Sequence, residues 1–234
     1  MCDRMETNSS PEHWNILYKA AGVAALVSEA AILLGLVMYF FWPYAPGNKS
    51  TEQIFVMLQA HPLGGMISLD LFLLLGNLFS LFIFLGLYIS LKRLNPSYAL
   101  MALAVGLLGL VLLIPARPIP ELFALSKSYT AATTDADKSQ LLAAGTALLA
   151  LFNGIGWFLN TLLGGLSLLV SSIIMLRSKD FSKAAAWIGI ITNAVVCCFF
   201  IPVVGKWLLF LSLPGYMVWY ILMTRAFFRM GRST

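Results

Sequence analysis

Charge is scarce in this chain: Asp, Glu, Lys and Arg together make up 11% of it, where soluble domains carry about 25%. Histidine is scarcer still. His13 and His61 are the two present. They are too few for a multi-histidine zinc hydrolase, or for bis-histidine haem ligation inside a bilayer. Of three cysteines, Cys2 stands at the start, and Cys197 and Cys198 are neighbours in an apolar run. No disulfide framework is built at those spacings. Thiols deep in lipid stay protonated and inert, so Cys197 and Cys198 read as apolar filling. There is no Gly-x-x-x-x-Gly-Lys-Ser/Thr phosphate loop and no Gly-x-Ser-x-Gly elbow. The formal charge of +5 comes without a dense basic run interleaved with aromatics, which excludes nucleic acid as a partner. No motif calls for a cofactor or a resident metal.

What is present is apolar. Hydrophobic residues supply 60% of the chain and its mean hydropathy is +0.87. They gather into six runs, at about 17–42, 65–91, 98–115, 155–176, 184–202 and 207–228. Crossing a bilayer takes about 20 such residues in a helix. The expectation is an all-α fold: a polytopic membrane helix bundle of six transmembrane helices, forming one integral domain over residues 1–234. Membrane lipids are then its immediate partners. The first run is too long for a signal-peptide core and has no small-residue cleavage site, so it reads as a retained helix. Cys2, directly after the first Met, is not expected to be a lipoprotein anchor.

Orientation follows from Lys and Arg in the short loops. One side holds Arg4, Lys19, Lys92, Arg93, Arg177, Lys179, Lys183, Arg225, Arg229 and Arg232; the other holds Lys49, Arg117, Lys127, Lys138 and Lys206. Ten against five predicts a cell-membrane protein with both termini cytoplasmic, and an even number of spans agrees. His13 then falls on the cytoplasmic side in a solvated role. Trp14, Trp42, Tyr44, Tyr98, Trp157, Trp207 and Trp219 lie mostly near span ends, as an aromatic belt would.

The longer connections fall on the outer side. Arg117-Pro118-Ile119-Pro120-Glu121 reads as a rigid extended segment, because proline fixes φ and restricts the residue before it. Further on, Thr134 with Asp137 three residues later has the form of a helix N-cap. The apolar residues that follow, Leu141, Leu142, Leu148, Leu149 and Phe152, place a helix on the outer interface between spans three and four, or leading into span four.

Polar residues within the spans carry whatever function exists. Glu29 stands at the middle of the first run, where a charged side chain costs about 2.5–3.5 kcal/mol on insertion scales. Asp70 is followed by Asn77 seven residues on, on the same helical face. Asn153, Gly156, Asn160, Gly164, Ser167 and Ser171 recur at three- and four-residue steps. Ala186, Gly189, Asn193 and Cys197 repeat the pattern in the fifth run. Small residues let backbones approach and polar ones bond across the contact, so both stripes read first as packing seams. Glu29, Asp70, Asn77, Arg117, Asn153, Asn160 and Asn193 are together the candidate lining of a polar cavity. Asp70 and Arg117 could equally form a structural ion pair, and Glu29 could stay neutral and donate to Asn77 or Asn160. A metal held by His61, Asp70 and Glu121 is conceivable but has no ligand spacing behind it.

Several stretches resemble one known family. They are Ser68-Leu69-Asp70-Leu71; Leu87-Tyr88-Ile89-Ser90-Leu91-Lys92-Arg93-Leu94-Asn95-Pro96-Ser97 with Ala99-Leu100; and Leu125-Ser126 with Tyr129-Thr130-Ala131-Ala132-Thr133-Thr134-Asp135. Met175-Leu176-Arg177-Ser178 with Phe181, and Trp187-Ile188-Gly189-Ile190, follow. They are similar to the bacterial domain-of-unknown-function 4386 family of multi-pass membrane proteins. The resemblance implies that architecture and supplies no activity or site residues. Two classes of function stay open. One is a protein that binds or translocates a small solute or proton through a polar cavity between helices. The other is an intramembrane enzyme acting on a lipid, with a non-catalytic membrane-organising role beside it.

Overall fold

A computed structural model describes residues 14–232; Cys2, Arg4 and His13 lie outside the described residues. The described chain is helical, without strands, and runs up and down. Helix α1 spans Asn15–Met38. Two short helices follow, α2 at Thr51–Ala60 and α3 at Pro62–Ser68. Then come α4 at Leu71–Leu91, α5 at Pro96–Leu113, α6 at Ile119–Ala131 and α7 at Asp135–Ala150. The last three are α8 at Ile155–Met175, α9 at Lys183–Cys197 and α10 at Gly205–Met230.

Among the described residues five helical stretches are long and apolar enough to cross a membrane: Asn15–Met38, Leu71–Leu91, Pro96–Leu113, the stretch Asp135–Met175 that holds α7 and α8, and Trp207–Met230. The fifth run expected from the sequence, at 184–202, forms only the 15-residue α9. The second run is also shorter than its hydropathy. Residues 65–68 belong to α3, and the chain breaks at Asp70, whose φ of 66° is left-handed. Asp tolerates that region better than a β-branched or bulky residue would. Hydropathy runs straight through this break, but the side chains do not share a destination. Leu69 is fully buried in one core while Asp70 turns to an ion pair.

Local chemistry sets the ends. Ser50 and Gln53 form a reciprocal capping box at the start of α2, satisfying two otherwise orphan donors. Thr134 accepts from the Asp137 N–H at α7, as its spacing predicts. Asn95 and Ser182 cap α5 and α9 in the same way. The expected extended segment after Arg117 is instead the start of α6. Pro118 is its N-cap, and Pro120 sits in its first turn, where a missing N–H costs no intrahelical bond.

Two cores result. The larger lies among α1, α4, α5, α8, α9 and α10, where Ala21, Ala24 and Ala25 meet Ile83, Leu87, Trp219 and Phe227. Trp219, expected in an aromatic belt, is fully buried there. The smaller core caps one end of the bundle. In it Ile54, Phe55 and Leu58 of α2 meet Leu69, Ile119, Leu122 and Phe152. Polar contacts tie the cap: Tyr129 donates to Glu52 (2.8 Å), Gln59 donates to Ser126 (2.7 Å), and the Thr51 and Thr146 hydroxyls pair at 2.6 Å. The outward faces of the long helices are apolar, with Leu26, Leu34, Met101, Val111, Phe210 and Val218 exposed. Large apolar surface of that extent is not left to water.

The small-residue stripe of α8 faces two partners. Gly156 lies against α5, where an added Cβ would come within 2.8 Å of the Leu112 carbonyl oxygen and 2.9 Å of Ala116 Cβ. Asn160 donates to the Gly109 carbonyl (3.1 Å) and Ser167 to the Ala102 carbonyl (2.6 Å). Gly165 faces Val196 and Cys197 of α9. Gly164, the fourth member of the stripe in the sequence, has nothing within 4 Å of an added Cβ. The stripe drifts around the helix because 3.6 residues per turn do not keep a strict four-residue step in register.

The ends of the bundle differ in charge. Lys19, Lys92, Arg93, Arg177, Lys179, Lys183, Arg225, Arg229 and Arg232 stand at one end with a single described acid, Asp180. The capped end has four described basic residues, Lys49, Arg117, Lys127 and Lys138, with five acidic ones, Glu52, Asp70, Glu121, Asp135 and Asp137. Glu29 lies between the two ends.

Candidate functional site

Among the described residues two polar centres occur, not one. The first forms where the cap meets the bundle. Asp70 is delivered by the break before α4, and Arg117 by the turn after α5. Arg117 Nε lies 3.0 Å from Asp70 Oδ2, with the arginine side chain 2% exposed and the aspartate 10%. Arg117 Nη1 donates to the carbonyls of Ala116 and Phe152, each at 2.9 Å. Its guanidinium also sits over the rings of Phe152 (5.0 Å) and Trp157 (4.8 Å). The Tyr39 hydroxyl, just past α1, donates to Asp70 Oδ1. Burial, and then the nearby Asp70 carboxylate, pushes the Tyr44 phenol up to about 12. One side chain thus joins the ends of α5 and α8 to the start of α4 and the end of α1. Arginine suits such a buried junction because its charge is fixed and its donors are spread in a plane.

The second centre is inside the bundle. Glu29 is 7% exposed, and among the described residues its Oε2 has no hydrogen-bond partner. Ten residues of helix separate it from Tyr39, about 15 Å along the axis, so it does not join the Asp70 group. Tyr220 of α10 is near enough to interact electrostatically with it, and Tyr220 also meets Ser80 of α4. Tyr220 stacks on Tyr216 with centroids 6.0 Å apart. Tyr216 donates to Asn193 Oδ1 (2.8 Å), and Asn193 Nδ2 donates to the Gly189 carbonyl (2.8 Å). Ser172 Oγ and Trp219 Nε1 lie beside Gly189 and also lack partners among the described residues.

The seven candidate residues therefore separate. Asp70 and Arg117 meet. Asn193 joins the tyrosines. Asn160 bonds α5, and Asn77 bonds back to the Leu73 carbonyl in its own helix (2.9 Å). Asn153 is exposed near Gly47. Neither Asn77 nor Asn160 takes a proton from Glu29 among the described contacts. The His61 ring lies tilted against that of Trp42, centroids 5.1 Å apart, and among the described residues no three His, Cys, Asp or Glu side chains gather as metal ligands. Tyr39, Tyr216 and Tyr220 are absent from the sequence candidates because a tyrosine inside an apolar run carries no charge to mark it as costly. The spacing Tyr216–Tyr220, one turn apart on a helix, was the available signal.

Five long apolar helices among the described residues, packed on an apolar core and apolar on their outer faces, have the pattern of a multi-pass helical membrane protein. The chain belongs to the family described as Domain of unknown function (DUF4386), which matches residues 16–228. That match takes in both cores and both polar centres. No curated protein and no solved structure matches the chain.

Proposed function

We propose that the protein is a single-domain, six-span protein of the cell membrane with both termini cytoplasmic, and that it binds or translocates a small solute or proton at Glu29. The carrying observation is the Glu29 carboxyl, buried in the bundle with an oxygen that has no hydrogen-bond partner among the described residues. Ionisable groups at such depth are rare and mark ion or proton pathways. The proton is the reading best supported, because tyrosine and asparagine side chains follow from Glu29 towards α9, each able to donate and accept. On this reading α9 is the sixth span, Asn193 belongs to the path, and the Asp70–Arg117 pair closes the capped end. The charge difference between the ends supports the orientation, since short loops rich in Lys and Arg stay in the cytoplasm.

The test uses purified protein in liposomes loaded with a pH-sensitive dye. After an external acid step, the wild type should acidify the lumen faster than empty liposomes do. Glu29→Gln should return the rate to that of empty liposomes while keeping the wild-type melting temperature. Wild-type liposomes that behave as empty ones, with or without candidate solutes, would defeat the proposal.

A further inference from the structure

The basic end holds a second site, formed by one face of α10. Thr224, Arg225, Phe228, Arg229 and Arg232 line an open groove of about 560 Å³. Thr224, Arg225, Phe228 and Arg229 recur at three- and four-residue steps and so share a face of α10, and Arg232 follows in the turn just past its end. Among the described residues none of the three guanidiniums meets a carboxylate; Arg229 donates to the Asp180 carbonyl. The Thr224 Oγ1 atom is buried and also has no partner among the described residues. Towards the membrane the same face continues as Ile221 and Val218, 45% and 47% exposed. The stripe therefore reads apolar first and cationic at its end.

We infer that this groove binds the phosphodiester headgroup of an anionic phospholipid, with its acyl chain along Ile221 and Val218. The chemistry matches at each level. Guanidiniums bind phosphate oxygens through paired N–H donors. A hydroxyl in the groove adds a further donor. Aliphatic side chains one and two turns deeper face hydrocarbon. A free phosphate would use the arginines but leave the apolar continuation without a role. Basic pockets at the cytoplasmic end of helices are suited to anionic headgroups on general electrostatic grounds. Nothing in this inference requires Glu29 to carry protons.

The experiment counts lipids retained by the full-length protein in native mass spectrometry, after release from mixed micelles of phosphatidylglycerol and phosphatidylcholine. The wild type should keep phosphatidylglycerol in preference. R225Q/R232Q, which leaves Arg229 on the Asp180 carbonyl, should lower that retention about 25-fold, at about fivefold for each arginine near the surface. R225K/R232K should keep most of the preference, since charge is retained. K127Q/K138Q, at the capped end, should leave it intact. Equal retention of the two lipids by the wild type would overturn the inference, as would an equal loss in K127Q/K138Q. Full displacement of phosphatidylglycerol by inorganic phosphate would overturn the lipid as source and assign the groove to free phosphate.

Discussion

Removing the Arg117 guanidinium is expected to be the most damaging single polar change at the capped end. Arg117→Met keeps a long side chain between Phe152 and Trp157 but deletes the charge. Three groups then lose a partner: Asp70 Oδ2, 3.0 Å away, and the carbonyls of Ala116 and Phe152, each at 2.9 Å. Leaving one member of a buried pair alone costs about 3–5 kcal/mol. Tyr39 still donates to Asp70, which places the expectation near the lower bound, about 3 kcal/mol. Asp70→Asn is the matched change. Asn accepts the left-handed φ of 66° at that position and can still accept from Tyr39, so it removes charge without straining the backbone. In the double variant neither charge is left alone. The double variant should therefore be more stable than Arg117→Met, with a coupling of about 1–3 kcal/mol across the cycle. Thermal unfolding in one detergent, read by the near-ultraviolet signal of Trp42 and Trp157, supplies the four values. A coupling below about 0.5 kcal/mol, the ordinary additivity error, would refute the view that this pair joins cap to bundle.

Other outcomes follow from the packing and the charges. Gly156→Leu should lower stability by about 1–3 kcal/mol through overpacking against the α5 backbone. Gly164→Ala, with open space around it, should be neutral or slightly stabilising by helix propensity; the two melting curves side by side are the check. Tyr129 is held above the usual tyrosine range, first by its hydrogen bond to Glu52. A raised folded-state value gives stability that is present below about 10, the unfolded tyrosine value, and lost as pH rises through the folded value. Tyr129→Phe should accordingly flatten the alkaline decline of the melting temperature, and an unchanged decline would count against it. A cysteine placed at position 230 should resist membrane-impermeant labelling in intact cells, and labelling from outside would invert the proposed orientation.

The long helices were legible because hydropathy is a property of runs, and a run of about 20 apolar residues leaves few alternatives. The Thr134 cap was legible for a local reason, its partner being three residues away. The break at Asp70 was not, since nothing within residues 65–91 competes with a continuous helix. Arg117 lies 47 positions along the chain and decides the matter. The α6 helix was hidden by its prolines, which mark a first turn as readily as an extended segment. Glu29 and Asp70 were both visible as costly groups. Their separation into two centres was not, because it depends on which helix faces each of them. Gly164 shows the same limit, as periodicity gave a face while the neighbours determined which glycine is crowded.

Helix α9 has a consequence for the lipid around it. Its 15 residues reach about 22 Å, against a hydrocarbon core of about 30 Å. If α9 crosses, the bilayer beside it must thin, or the segment after Cys197 must lie within the acyl region. Trp187, Ile191 and Phe200 are exposed along this flank and meet that lipid first. The protein then carries a fixed mismatch on one side and matched helices on the others. Such a molecule prefers short-chain or fluid lipid on a single flank, and it tilts or sorts towards thinner membrane. The same thinning shortens the hydrocarbon barrier on the side where Asn193 and Tyr216 lie.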